Sequence, residues 1–414
     1  MLTYAAFALQ CSGVTHVSTL APPAVTPRET AGRTAPRRSL PVAAGTALGL
    51  FAVARLAGLT VVAAVAWATG DKRPLALLGR SWDSLWYLGI AAHGYGRTLR
   101  FEPGVVQSDL AFFPLYPALV RAVATLTPLG GGACGLLVSW SAAGVAACGV
   151  YALGARLHGR AVGTALVLLW GLLPHSVVLS MAYTEPVLTA FAAWSLYAVL
   201  GGRWLWAGTL AALAGLARPN GFAVAAAVLA AAAYEAWRGR RQARGVTHRL
   251  WTGVALAPLG WAAYVLWVGH RTGDLLGGYF EVQRRWGSTF DFGRGSARFV
   301  RHVLLHGDRF VFPMTTVIVG AAVLLYGLLL ADRAPLVLLV YSGVLLLVAL
   351  GGSGFFESKP RFLLPAFPLL LPFARALVRT ARARPWHAAV VAGALAGLSL
   401  TYGAYLVVIA DTPL

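Results

Sequence analysis

MTTVIVGAAVLLYGLLLADRAPLVLLVYSGVLLLVAL, residues 314–350, decides the fold class. Two apolar runs, 314–331 and 335–350, flank a short break that holds Asp332 and Arg333. An apolar run of roughly 20 residues, wound as a helix, matches the hydrocarbon thickness of a bilayer. Lipid offers the backbone no hydrogen bonds, so such a run must be helical. The same pattern extends outward in both directions. Further spans are expected at 41–69, 133–155, 162–181, 184–200, 205–217, 220–237, 251–269, 362–379 and 386–409, which makes about eleven in all. The expected class is an all-α polytopic membrane protein.

Composition supports that class. Of 414 residues, 58% are hydrophobic and 12% charged, and the mean hydropathy is +0.70. A soluble domain carries roughly twice that charged share. The net charge of +20 does not point to nucleic acid, because the basic residues sit in short loops between apolar spans. Membrane lipids with anionic headgroups, and phosphate-bearing substrates, fit it better. Cys11, Cys134 and Cys148 have no metal-ligand spacing and indicate no disulfide framework. Residues 1–40, with Pro22, Pro23, Pro27, Arg33, Arg37 and Arg38, are expected to form a disordered basic tail ahead of a transmembrane domain over 41–414.

Two stretches are not simply apolar: 70–131 and 270–313. The loops RGRRQARGVTHR (238–249) and RTARAR (379–384) are rich in arginine and carry no acid, which places them in the cytoplasm. Alternation from there puts 70–131, 183–186, 218–221, 270–313 and 351–361 on the extracytoplasmic face. Most of the acids fall in those outer segments, Asp83 and Glu185 among them. Topology accounts for the cytoplasmic arginines. The outer acids and arginines need another reason.

The first outer stretch opens with RSWDSLWYLGIAAHGYG, residues 80–96. As a helix it puts Trp82 and Trp86 on one face and Asp83 and Tyr87 on the adjacent one, with Tyr95 beyond. On the residues alone, an interfacial belt of Trp and Tyr with an exposed Asp is the plainer reading. The sharper one is a general base that takes the proton of an attacking sugar hydroxyl. AYTEPVL (182–188) sets Glu185 at a span boundary, where it is either a helix-capping carboxylate or a second candidate acid. LARPNGF (216–222) sets Arg218 at a Pro-Gly break, and ESKPRFLLPAFPLLLP (357–372) sets Lys359 and Arg361 before a span. Those three cations can cradle a lipid phosphate, for which arginine supplies bidentate geometry. GGYFEVQRRWGSTFDF (277–292) offers Gln283 and Trp286, an amide beside an aromatic face, on what is otherwise an interfacial helix. His302 and His306 share a helical spacing but lack the glutamate of a zinc motif, so no metal site is expected.

The ordered set WDSLWYLGIAAHGY, AFFPLYPALVRA, AYTEP, LARPNG and KPRFLLPAFPLLLP resembles the bacterial branch of the PIG-V family. The eukaryotic members of that family are the GPI mannosyltransferase 2 enzymes. The resemblance spans residues 50 to 410, and its WDxxWYxxIAxxGY and KPRFLLPAFP segments are the specific parts. It implies the GT-C fold and an inverting mannosyltransferase with a polyprenyl-phosphate mannose donor and a lipid-linked or cell-envelope acceptor. It also implies an essential Asp in the first outer loop, the position of Asp83, and so favours the sharper reading of that residue. No cofactor is expected, since arginines can neutralise a single lipid phosphate. The rival from another class is a flippase or transporter of lipid-linked sugars. A flippase would need polar residues lining a path within the spans, where Arg55 is the main exception to apolar sequence.

Overall fold

The computed structural model describes residues 40–414 apart from 71–72, 101–105, 243–244, 246, 308, 411 and 413–414. The tail expected over residues 1–40 lies outside them but for its last residue, as do the acids Asp71, Glu102 and Asp308. The described chain is helical, with one short antiparallel ribbon, Thr98–Arg100 against Val106–Ser108.

Among the described residues, six helices are long and apolar enough to cross a membrane: Ala44–Ala68, Gly131–His158, Pro219–Arg241, His248–Thr272, Val311–Ala331 and Pro385–Val408. A broken pair, Phe356–Leu363 and Phe367–Ala383, adds a seventh if counted as one span. The expected total of about eleven spans is therefore not matched. The segments at 162–181, 184–200, 205–217 and 335–350 fold as the shorter helices Arg160–Gly171, Glu185–Leu200, Trp204–Ala217 and Leu336–Gly351, of 12, 16, 14 and 16 residues. Breakers in the sequence stop them. Gly201 and Gly202 turn the chain after Leu200, and Pro219 follows the helix that ends at Ala217. Much of their apolar surface packs on other helices. Glu185–Leu200 buries most of its residues, so its hydrophobicity serves the interior more than lipid contact.

Small residues let the helices approach closely. Gly131–His158 packs along Glu185–Leu200, where a Cβ on Gly149 would come within 2.9 Å of the Ala193 methyl. Trp204–Ala217 crosses His248–Leu256 so tightly that a Cβ on Gly208 would collide with the carbonyl of Gly253. Gly and Ala at crossings are how helices associate where water supplies no hydrophobic drive. Arg55, the exception inside an apolar span, is buried and donates to the carbonyls of Gly171 and Ser176. It caps the C-terminal end of the Arg160–Gly171 helix, where a cation offsets the exposed carbonyls.

The two long polar stretches carry the elements that shape the site. Residues 70–131 contribute the Asp83–His93 and Leu115–Leu126 helices and the ribbon. Residues 270–313 contribute the Gly278–Arg285 and Arg294–His306 helices. The broken pair turns by 75° between Leu363 and Phe367, next to Pro365. The carbonyls freed at the bend find partners: Trp170 Nε1 donates to Leu364 O at 3.0 Å and Tyr341 OH to Pro365 O at 2.9 Å. Arg361 lies in the first half, just ahead of this bend.

Candidate active site

Four charged side chains from four separate stretches meet in one network. Asp83 is the first residue of its helix, where the free N–H groups and the dipole favour a carboxylate. Arg361 Nη1 lies 2.7 Å from Asp83 Oδ2, and Arg361 Nε lies 3.2 Å from Glu185 Oε1. Arg218 pairs with the same Glu185 oxygen and donates to Thr184 Oγ1 at 3.0 Å. Tyr87 OH lies 3.4 Å from that hydroxyl. Both guanidiniums also lie over the ring of Phe362, at 5.6 Å for Arg218 and 5.3 Å for Arg361. Arginine suits this double use, being planar and weakly hydrated. Glu185 is 0% exposed and Arg218 and Arg361 are each 5% exposed, whereas the Asp83 side chain keeps 23%. Asp83 is thus the acid that a substrate can reach.

A cavity of about 580 Å³ opens beside this network. Trp82, Asp83, Trp86, Tyr87, Arg218, Gln283, Trp286 and Arg361 all line it, so the structure gathers these sequence-predicted residues in one place. Among the described lining residues Asp83 is the one acid, and Arg218 and Arg361 are the cations. Trp82 holds φ at 52°, a positive value that is rare for a bulky residue. Trp86 stacks on Phe112 with ring centroids 5.7 Å apart and meets Trp286 edge-on at 5.2 Å. Trp286 Nε1 is tied to Ser108 O at 2.9 Å. Gln283 uses its amide nitrogen on Ala111 O at 3.3 Å and Tyr279 OH at 2.7 Å. Burial pushes the Tyr87 hydroxyl up to about 12, which keeps it protonated as a hydrogen-bonding group.

Three expected site residues stand elsewhere. Tyr95 donates to Phe112 O at 2.8 Å and packs on Tyr264 and Trp267 outside the cavity, as a structural anchor of the loop. Lys359 turns away from Arg361 and bonds the carbonyls of Ala349 and Gly352. Residues two apart on a helix project to nearly opposite sides, so the two cations could not serve one phosphate. Lys359 instead lines a second, mostly apolar groove of about 840 Å³ with Val300, Leu304, Leu347, Leu350 and Phe356. Glu185 does not line the cavity, and its burial between two arginines does not suit a group that must reach a substrate proton. His302 and His306 stack with centroids 4.8 Å apart, and among the described residues no third His, Cys, Asp or Glu joins them.

Sequence reasoning missed Asn220, Phe112 and Phe362, which also line the cavity. Asn220 lies in the LARPNGF stretch, where Pro219 and Gly221 mark a chain break and nothing in the sequence singles out the amide between them.

No family model matches the chain, and no curated protein does. Among solved structures the chain is similar to the Archaeoglobus fulgidus oligosaccharyltransferase in its apo form, with a TM-score of 0.51 at 13% identity, over 89% of this chain and 56% of that one. The archaeal oligosaccharyltransferase AglB from the same organism, in complex with an inhibitory peptide and a dolichol-phosphate, gives a TM-score of 0.51 at 12% identity over the same shares. The chain spans just over half the length of the structures it matches. Likeness at such identity speaks for architecture, and by its architecture the chain has the GT-C fold of membrane glycosyltransferases.

Proposed function

We propose that the chain is an inverting glycosyltransferase, and that it moves mannose from a polyprenyl-phosphate donor to a lipid-linked or cell-envelope acceptor at the extracytoplasmic face of the cell membrane. The observation that carries the reading is one reachable carboxylate, Asp83, beside two guanidiniums in an aromatic-lined cavity. The resemblance of WDSLWYLGIAAHGY and KPRFLLPAFP to PIG-V segments supports mannose, and the AglB complex with a dolichol-phosphate supports a lipid-phosphate ligand on this fold.

The chemistry follows from the residues. Asp83 takes the proton of the acceptor hydroxyl as its oxygen attacks the anomeric carbon. The bond from that carbon to the phosphate oxygen breaks on the opposite face, which inverts the centre. The electron pair stays on the phosphate, whose charge grows by one, and Arg218 and Arg361 meet it with charge-assisted bonds. With two guanidiniums at the phosphate the reading assigns no metal. Trp82, Trp86 and Trp286 offer ring faces to the sugar. The donor's prenyl chain is assigned to the apolar groove at Lys359. The end of the Leu336–Gly351 helix walls both spaces, with Val348 on the cavity and Leu347 and Leu350 on the groove.

Purified protein incubated with labelled polyprenyl-phosphate mannose and a membrane lipid extract should transfer label to an acceptor lipid. Movement of the intact donor across a vesicle membrane, without transfer, would replace this reading with the flippase one.

A further inference from the structure

Asn220 occupies the tight turn Pro219–Gly221, between the Trp204–Ala217 and Phe222–Arg241 helices. It is 6% exposed and lines the cavity, and neither atom of its amide has a hydrogen-bonding partner among the described residues. Folded proteins leave few buried polar groups unpaired, because each one costs its full desolvation. The turn cannot easily shift to relieve it. Trp261 Nε1 donates to Pro219 O at 2.9 Å and pins one side. Gly221 packs so closely on the preceding helix that a Cβ there would collide with the Ala214 carbonyl. Pro219 fixes its own φ. The fold thus holds a buried, unpaired amide in the cavity wall, two residues from Arg218.

We infer that Asn220 is a specificity-determining residue that binds the sugar of the donor, donating to one hydroxyl and accepting from its neighbour. The inference rests on the glycosyl-transfer reading. An amide presents a donor and an acceptor side by side, and adjacent sugar hydroxyls present both in return. A phosphate offers acceptors only and would leave the amide oxygen unpaired. The phosphate has its own partners in Arg218 and Arg361, and the aromatic walls of the same cavity suit a sugar ring.

The test uses the whole chain in lipid nanodiscs, with Asn220→Ala and Asn220→Leu, the second of which keeps the branched shape and removes both polar groups. Binding of polyprenyl-phosphate mannose and of bare polyprenyl phosphate is measured side by side, with the thermal midpoint. Both variants should bind the sugar-loaded lipid about tenfold more weakly and the bare lipid as wild type does. Their midpoints should stay level or rise, since no protein partner is lost. Equal weakening for both lipids would put the amide at the phosphate and overturn the assignment. Unchanged affinities with a lowered midpoint would make Asn220 structural and overturn it too. Wild-type protein that binds neither lipid would defeat the glycosyl-transfer reading and this inference together, and that result is seen before any variant is made.

Discussion

Arg361 Nη1 lies 2.7 Å from Asp83 Oδ2, so the reachable acid of the cavity and one of its two cations are bonded to each other in this structure. In the proposed reaction a donor phosphate must compete with Asp83 for Arg361. Glu185 sits behind them and faces no such competition. The two carboxylates on one arginine therefore have opposite consequences for donor binding.

Asp83→Asn is the first prediction. Asparagine keeps the size but cannot take the proton, and general-base catalysis contributes roughly a hundred- to ten-thousand-fold. Single-turnover transfer should fall at least about a hundredfold. Donor affinity, read by direct binding, should rise, because Arg361 is released to the phosphate. Full turnover in this variant would move the base elsewhere, and weaker binding would mean that Asp83 does not compete.

Glu185→Gln should act in the other direction. Breaking a buried ion pair on one side costs about 3–5 kcal/mol of stability and leaves the partner charges unanchored. The variant should melt earlier and show a raised KM for the donor, while kcat at saturating donor changes far less. A collapse of kcat with KM unmoved would restore Glu185 as a group in the chemistry.

Arg218→Ala should weaken donor binding by about 1.5–3 kcal/mol, the worth of a hydrogen bond to a charged group. Arg361 remains to satisfy Glu185, so the fold should tolerate this change better than the loss of Glu185. Donor affinity equal to wild type would reduce Arg218 to a structural partner of Thr184.

Much of this site was legible in the sequence, and what was not has a physical reason. Asp83, Arg218 and Arg361 stood out because cations and acids are expensive in an apolar chain and gathered in a few stretches. Their meeting in space was beyond reach, since they lie more than a hundred residues apart in sequence and share no periodic pattern. Lys359 was misread because two cations in one motif look alike until a helix sends them to opposite sides. The count of about eleven spans is not confirmed by helix length and composition, since apolarity alone does not separate a buried helix from a lipid-facing one, as Glu185–Leu200 illustrates. Asn220 went unnoticed because an unpaired amide leaves no mark on composition or period.

Sidedness is the fourth prediction. In a background with Cys11, Cys134 and Cys148 replaced by serine, Phe292→Cys and Gln242→Cys place thiols at two exposed positions. An impermeant maleimide added to intact cells should label position 292 and leave 242 untouched. The reverse pattern would put the cavity on the cytoplasmic side.

The four-residue network has a consequence for the work done during transfer. Two acids and two guanidiniums cancel, so the group is neutral before a lipid phosphate adds one negative charge. In the proposed step that phosphate gains a second negative charge while Asp83 loses its own by taking up a proton. The total inside the cavity is the same before and after the sugar moves. Charge is only relocated over a short path, from carboxylate to phosphate, and a poorly polarisable interior resists such a relocation far less than it resists the creation of new charge. The price is deferred: Asp83 must shed its proton before the next cycle, so proton escape from the cavity becomes a step that can limit turnover.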